Sequence, residues 1–238
     1  MTYKEAYDKV LPEHKRKEEK YNLLVSLLIR PISILMTLPF IGTKIKPTTI
    51  TKVSVAFSVA GFVALSFGKT IPLKILGWTL IFMWVLLDGV DGNLARCTNQ
   101  CSPLGDLWDT MGGYAAMVLI YFGAGIAAFY DTNTVYLFEN YWYLIIGGAT
   151  AIFSIFPRLV MHKKKSSEGN TEAVKAVSDK KSFGLSNIIA MNFVSPSGFM
   201  QLFLLISIVC HLLNIFIIGY AFITFAVMML SLYKLLSK

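Results

Sequence analysis

Charge is what this 238-residue sequence has least of. Asp, Glu, Lys and Arg make up 15% of it, where an ordinary soluble domain carries about a quarter. Apolar residues make up 55%, and mean hydropathy is +0.60. This shortage excludes a water-facing surface over most of the chain and makes lipid the implied solvent. Cysteine is scarce too. Cys97, Cys101 and Cys210 are an odd, scattered set, which excludes a disulfide framework. Cys97 and Cys101 lack the second ligand pair that a four-coordinate zinc site needs. Residues 1–20 are charged and hold no short apolar core of the signal-peptide kind.

What charge there is leans basic, with 22 Lys and Arg against 14 Asp and Glu. In a soluble chain a net charge of +8 would raise nucleic acid as a partner. In a membrane chain the better reading is topological, because Lys and Arg collect in cytoplasmic loops. No nucleic-acid partner is expected.

The apolar residues are organised into spans. Tyr3, Ala6, Tyr7, Val10 and Leu11 recur at helical spacing and predict a short amphipathic helix ending near Pro12. Residues 21–41 are apolar but carry Arg30-Pro31 at their middle. An Arg at bilayer centre costs about 2.5 kcal/mol or more, and the proline removes a backbone hydrogen bond. That segment is therefore read as a bent interfacial helix.

A bilayer core needs about 20 apolar residues of helix. Residues 50–67, 72–88 (continuing as helix to about Arg96), 105–130 and 141–162 meet that length. Residues 198–236 are long enough for two more spans, with a break at His211 and Asn214. The fold class is thus all-α integral membrane. Residues 1–42 form cytoplasmic amphipathic and interfacial helices, and residues 43–238 form a six-helix transmembrane domain with a cytoplasmic loop at 163–196. With both termini inside, only Lys69 and Lys74, 2 of the 22 basic residues, fall near the outside, as the positive-inside rule requires.

Four of the acidic residues, Asp88, Asp91, Asp106 and Asp109, cluster where the second and third spans meet one cytoplasmic loop. Carboxylates at a membrane boundary are expensive, which marks them as functional. Asp88 and Asp91 are three residues apart and share a helix face, as do Asp106 and Asp109. Their mutual repulsion is relieved by a divalent cation, and all-oxygen ligation suits Mg2+ or Mn2+. Gly89, Gly92, Ala95 and Gly105 let a bulky ligand approach the backbone. Arg96 supplies a planar fork suited to phosphate.

The stretch reads Asp88-Gly-Val-Asp91-Gly92-Asn-Leu-Ala95-Arg96, eight further residues, then Gly105-Asp-Leu-Trp-Asp109. It resembles the CDP-alcohol phosphatidyltransferase signature, D-x-x-D-G-x-x-A-R followed after eight residues by G-x-x-x-D-x-x-x-D. Seven of eight fixed positions match. Pro47-Thr-Thr-Ile50-Thr51 resembles the family's lead into the first span. The resemblance implies transfer of a phospho-alcohol group from a CDP-alcohol, often CDP-diacylglycerol, to an acceptor hydroxyl, with release of CMP. It implies that Asp88, Asp91 and Asp109 hold divalent metals, two ions in the family. It implies that Gly92, Ala95, Arg96 and Gly105 shape the nucleotide pocket, and that the unit is a homodimer. Arg158, near the end of the fourth span, resembles an acceptor-binding Arg of relatives with phosphorylated acceptors.

The sequence departs from the signature at its last position, where Gly113 stands in place of the Asp that serves as metal ligand and general base. Asp106, Asp109 and position 113 lie at i, i+3 and i+7 on one helix face. Asp106 is therefore a candidate for the missing catalytic carboxylate, the other reading being that it only complements the dipole at the helix start. The alternative is a family member impaired in catalysis that binds a CDP-lipid or a partner protein. His162 and His211 are read as interfacial.

Overall fold

A computed structural model describes residues 1–13, 16, 19, 21–134, 136–137, 139–169, 174, 188 and 192–237. Among them every regular element is a helix. The chain is an all-α, multi-pass membrane protein: five helices are long and apolar enough to cross a bilayer.

Helix α1 (Tyr3–Val10) is opened by a capping box, with Thr2 and Glu5 satisfying each other's backbone N–H groups. A π-wound turn (Val25–Ile29) leads into α2 (Arg30–Thr37), which closes on a 3₁₀ turn (Leu38–Phe40). Pro31 falls at the start of α2, where its missing N–H costs least. The long helices follow as α3 (Pro47–Phe67), α4 (Ile71–Thr98), α5 (Pro103–Phe129) and α6 (Tyr141–Glu168). Helix α7 (Met200–Val209) is short, and α8 (Leu213–Leu236) is again long.

The structure differs from the sequence expectation in three places. First, α1 lays its apolar face on protein: Ala6, Val10 and Leu11 pack with Ile34 of α2 and Cys97 of α4. Second, α6 runs beyond His162 to Glu168, so the first residues assigned to the 163–196 loop are helical. Most of that loop, with Lys175, Lys180 and Lys181, lies outside the described residues, as does Lys238. Third, the fifth span contains only ten regular residues. At about 1.5 Å per residue, α7 covers half a bilayer core. Turn 196–199 precedes it. A Cβ on Gly198 would press into the Asn192 carbonyl oxygen, so the bend needs glycine.

Small residues let the long helices touch. A Cβ on Gly61 of α3 would stand 2.8 Å from Ile81 of α4, and one on Gly125 of α5 would stand 2.9 Å from Gly147 of α6. Lipid gives no hydrophobic drive for helix to meet helix, so such close approach is what joins them. Around these seams Trp84, Ile120, Tyr121, Tyr143, Leu204 and Ile217 form the buried core.

Candidate active site

Helix α4 ends at Thr98 and α5 begins at Pro103. The turn between them is tight because Asn99 takes a left-handed conformation (φ 57°) and Ser102 caps α5, its hydroxyl accepting from the Gly105 N–H at 3.1 Å. This hairpin brings Asp109 of α5 to Asp88 of α4.

The Asp88 and Asp109 carboxyl groups meet closely enough to share a hydrogen bond, and the charge of Asp91 bears on Asp88. Asp91 is buried, 4% exposed. Thr51 of α3 donates to its Oδ2 at 2.5 Å. Arg96 is the cation whose charge reaches both Asp91 and Asp109. Its guanidinium lies over Gly92, where a Cβ would stand 3.3 Å from Nη2. Gly92 therefore gives Arg96 its place. Gly105 sits against Ser102 and Thr48, so the Pro47–Thr51 stretch and the signature form one surface. Ala95 is half-buried on the same turn of α4.

Other residues had no signal in the sequence. Asn93, an unfixed position of the signature, is fully buried and accepts from both Arg96 and Arg30. The group that approaches Gly89 is Ser33 of α2, 3.0 Å from where a Cβ would be, a protein contact instead of a ligand. Thr51 was legible only as part of the lead into the first span. Lys52 stacks over the Trp108 ring at 5.0 Å.

Gly113 has open space where a side chain would go. Asp106 is exposed in the first turn of α5, two turns from Gly113 on the same face. Its charge bears on Asp109 and on His162. His162 of α6 meets the Tyr114 hydroxyl at 2.9 Å through Nδ1. Arg158 neighbours Tyr114 and Tyr121; none of the carboxylates forms an ion pair with it among the described residues.

No three acidic, His or Cys side chains form a ready-made metal cage among the described residues. The donor chemistry nonetheless fits a hard cation. Asp88, Asp91 and Asp109 make no ion pair with a Lys, Arg or His among the described residues. Two of the carboxyl groups face each other directly. Such an oxygen-only set is what Mg2+ or Mn2+ takes.

Comparison with known proteins bears on the same stretch. The pattern of the CDP-alcohol phosphatidyltransferase family matches residues 44–232. Cholinephosphotransferase 1 of Bos taurus is 33% identical over 132 residues, which cover 51% of this chain and 32% of that protein. The Homo sapiens protein of the same name is 34% identical over 122 residues, 47% of this chain and 30% of that protein. The Gallus gallus one is 41% identical over 64 residues, 27% of this chain and 19% of that protein. The chain thus covers about a third or less of the length of these relatives. With the signature and the four-helix frame that presents it both lying inside the matched region, this chain belongs to the CDP-alcohol phosphatidyltransferase family.

Proposed function

We propose that the protein is a membrane-embedded transferase that moves a phospho-alcohol group from a CDP-alcohol to an acceptor hydroxyl and releases CMP. The observation that carries this reading is the convergence of Asp88, Asp91 and Asp109 with Arg96 at one end of the bundle.

In this reading Asp88, Asp91 and Asp109 hold divalent Mg2+ or Mn2+, which supplies charge neutralisation at the diphosphate and at the departing CMP. Thr51 fixes the Asp91 carboxylate so that its other oxygen faces the site. Arg96 draws in the donor phosphates, and Gly92, Ala95 and Gly105 leave room for the nucleotide. The acceptor oxygen forms a bond to phosphorus, the phosphorus–oxygen bond to CMP breaks, and CMP leaves with the electron pair. The hydroxyl proton passes to Asp106, from the exposed end of the row whose far member is Gly113. Phosphoryl transfer depends mostly on positioning and charge, so a displaced base is tolerable. Arg158 receives an anionic group of the acceptor where the acceptor has one. The site faces the cytoplasm, since the basic residues gather at its end of the bundle, and the unit is a homodimer in lipid.

The relatives' name makes a CDP-linked small alcohol such as choline the first donor to assay, with diacylglycerol as acceptor. CDP-diacylglycerol with a polar alcohol comes second. Mass spectrometry of the lipid product from purified protein distinguishes the two. No product from either pairing, with CDP-lipid still bound, would leave the reading of an impaired, ligand-binding family member. Asp106→Asn should lower kcat about a hundredfold, within the range for a general base; an unchanged kcat removes Asp106 from the mechanism.

A further inference from the structure

Asn93 occupies a position that the signature leaves open, yet none of its surface is exposed. Its carboxamide oxygen accepts from Arg96 Nη2 at 3.2 Å and from Arg30 Nη1 at 3.0 Å. Its nitrogen donates to the Ser33 hydroxyl at 3.2 Å. Ser33 in turn donates to the Arg30 carbonyl at 3.0 Å. Arg30 and Ser33 both belong to α2, outside the matched region. Glu19 pairs with Arg30, its Oε1 lying 2.6 Å from Nε and 2.5 Å from Nη2. Nearby, Lys9 of α1 donates to the Cys97 carbonyl at 2.7 Å, one residue after Arg96, where a cation also suits the helix end.

Two guanidinium groups therefore converge on one neutral acceptor. Glu19 offsets the charge of Arg30. Nothing among the described residues forms an ion pair with Arg96, and its Nε is buried with no hydrogen-bond partner. An amide at this point orients Arg96 without cancelling its charge. A carboxylate would orient it equally well but neutralise it. This is the arrangement expected where the charge must stay available for an anion.

We propose that Asn93 is a positioning residue that aims Arg96 at the phosphates of the nucleotide donor, and that Arg30 and Ser33 of the interfacial helix hold Asn93 in place. Donor affinity then depends on the N-terminal 40 residues, which lie outside the signature. The inference rests on the preceding reading that Arg96 meets the donor.

The test uses the full chain in detergent with Mg2+. CMP-release kinetics are measured against CDP-alcohol concentration, and CDP affinity is measured separately by calorimetry. Asn93→Ala should raise KM and the CDP dissociation constant roughly tenfold while kcat stays within about twofold, the size of a lost hydrogen bond to a charged group. Asn93→Asp should fold as well as the parent and still raise KM by a similar factor; a purely structural role predicts no change there. Arg30→Gln should raise KM a few-fold, and combining it with Asn93→Ala should add nothing. If Asn93→Ala unfolds the protein, Asn93→Asp and Arg30→Gln carry the test. Unchanged KM and CDP affinity in folded variants, or additive effects of Arg30→Gln and Asn93→Ala, would overturn the proposal, as would a parent that does not bind CDP. A parent that binds CDP more tightly than Asn93→Ala but releases no CMP supports the positioning role while refuting the transferase reading.

Discussion

Removing the carboxylate of Asp131 should destabilise the bundle at the end opposite the candidate active site. Asp131 follows α5 and is buried, 3% exposed. His211, between α7 and α8, meets it through Nδ1 at 2.9 Å and 3.2 Å. Lys74, in the first turn of α4, places Nζ 3.4 Å away, and the Asn133 N–H donates at 3.2 Å. Three connections are thus tied to one side chain. Asp131→Ala leaves Lys74, 7% exposed in its side chain, without its counter-charge. Breaking one partner of a buried pair costs about 3–5 kcal/mol. Lys74 sits at a helix start and can straighten toward water, so the expected loss is at the low end, about 3 kcal/mol. Lys74→Met together with Asp131→Asn should recover much of it, because no bare charge remains. The pH dependence has a definite sign. Burial acts to raise the Asp131 pKa, but the His211 hydrogen bond and the Lys74 charge outweigh it and hold the carboxyl below its ordinary value. Its contribution is therefore complete above the unfolded carboxylate range, about pH 4, and is lost as pH falls through the depressed folded value. Chemical unfolding of parent and Asp131→Ala in detergent at pH 7 and below pH 4 measures this. A gap under about 0.5 kcal/mol at pH 7 is an ordinary surface effect and would rule out a buried ion pair at Asp131, as would a gap that widens on acidification.

Other predictions follow from the site and its frame. Thr51→Val should lower kcat/KM by roughly 10- to 100-fold, because the hydrogen bond to charged Asp91 is worth about 1.5–3 kcal/mol, whereas Thr51→Ser should stay near the parent. Gly113→Ala should raise stability by up to about 1 kcal/mol through helix propensity, since its Cβ enters open space. Gly198→Ala should destabilise in the same unfolding assay, its Cβ having no room beside Asn192. Gly113→Asp should speed CMP release roughly tenfold or more, against a base contribution of about 10²–10⁴; in that background Asp106→Asn should become nearly harmless.

The long helices could be read from sequence because lipid imposes both length and composition on a spanning helix. The acidic signature was equally legible, since its spacing alone puts Asp88 with Asp91 and Asp106 with Asp109 on shared faces. Contacts made across many residues left no trace. Asp131 and His211 lie 80 positions apart, and each alone reads as an ordinary interfacial polar residue. Asn93 falls among the unfixed signature positions, and its importance comes from Arg30, 63 residues earlier. The packing of residues 21–41 on α4 was not legible, because periodicity shows which face is apolar and not what covers it. The fifth span was legible as hydropathy only. The bend at Gly198 comes from the Asn192 carbonyl, a contact that hydropathy does not register.

CMP release from the purified protein with a CDP-alcohol, diacylglycerol and Mg2+, run beside Asp91→Ala and beside the parent stripped of divalent ions by chelation, decides whether the carboxylate cluster is the centre of a metal-dependent transferase. The parent should release CMP only with acceptor, release should be lost in Asp91→Ala and on chelation, and it should return only to the parent when Mg2+ or Mn2+ is restored. Release that persists undiminished in Asp91→Ala, or in the presence of chelator, would contradict that role for the cluster.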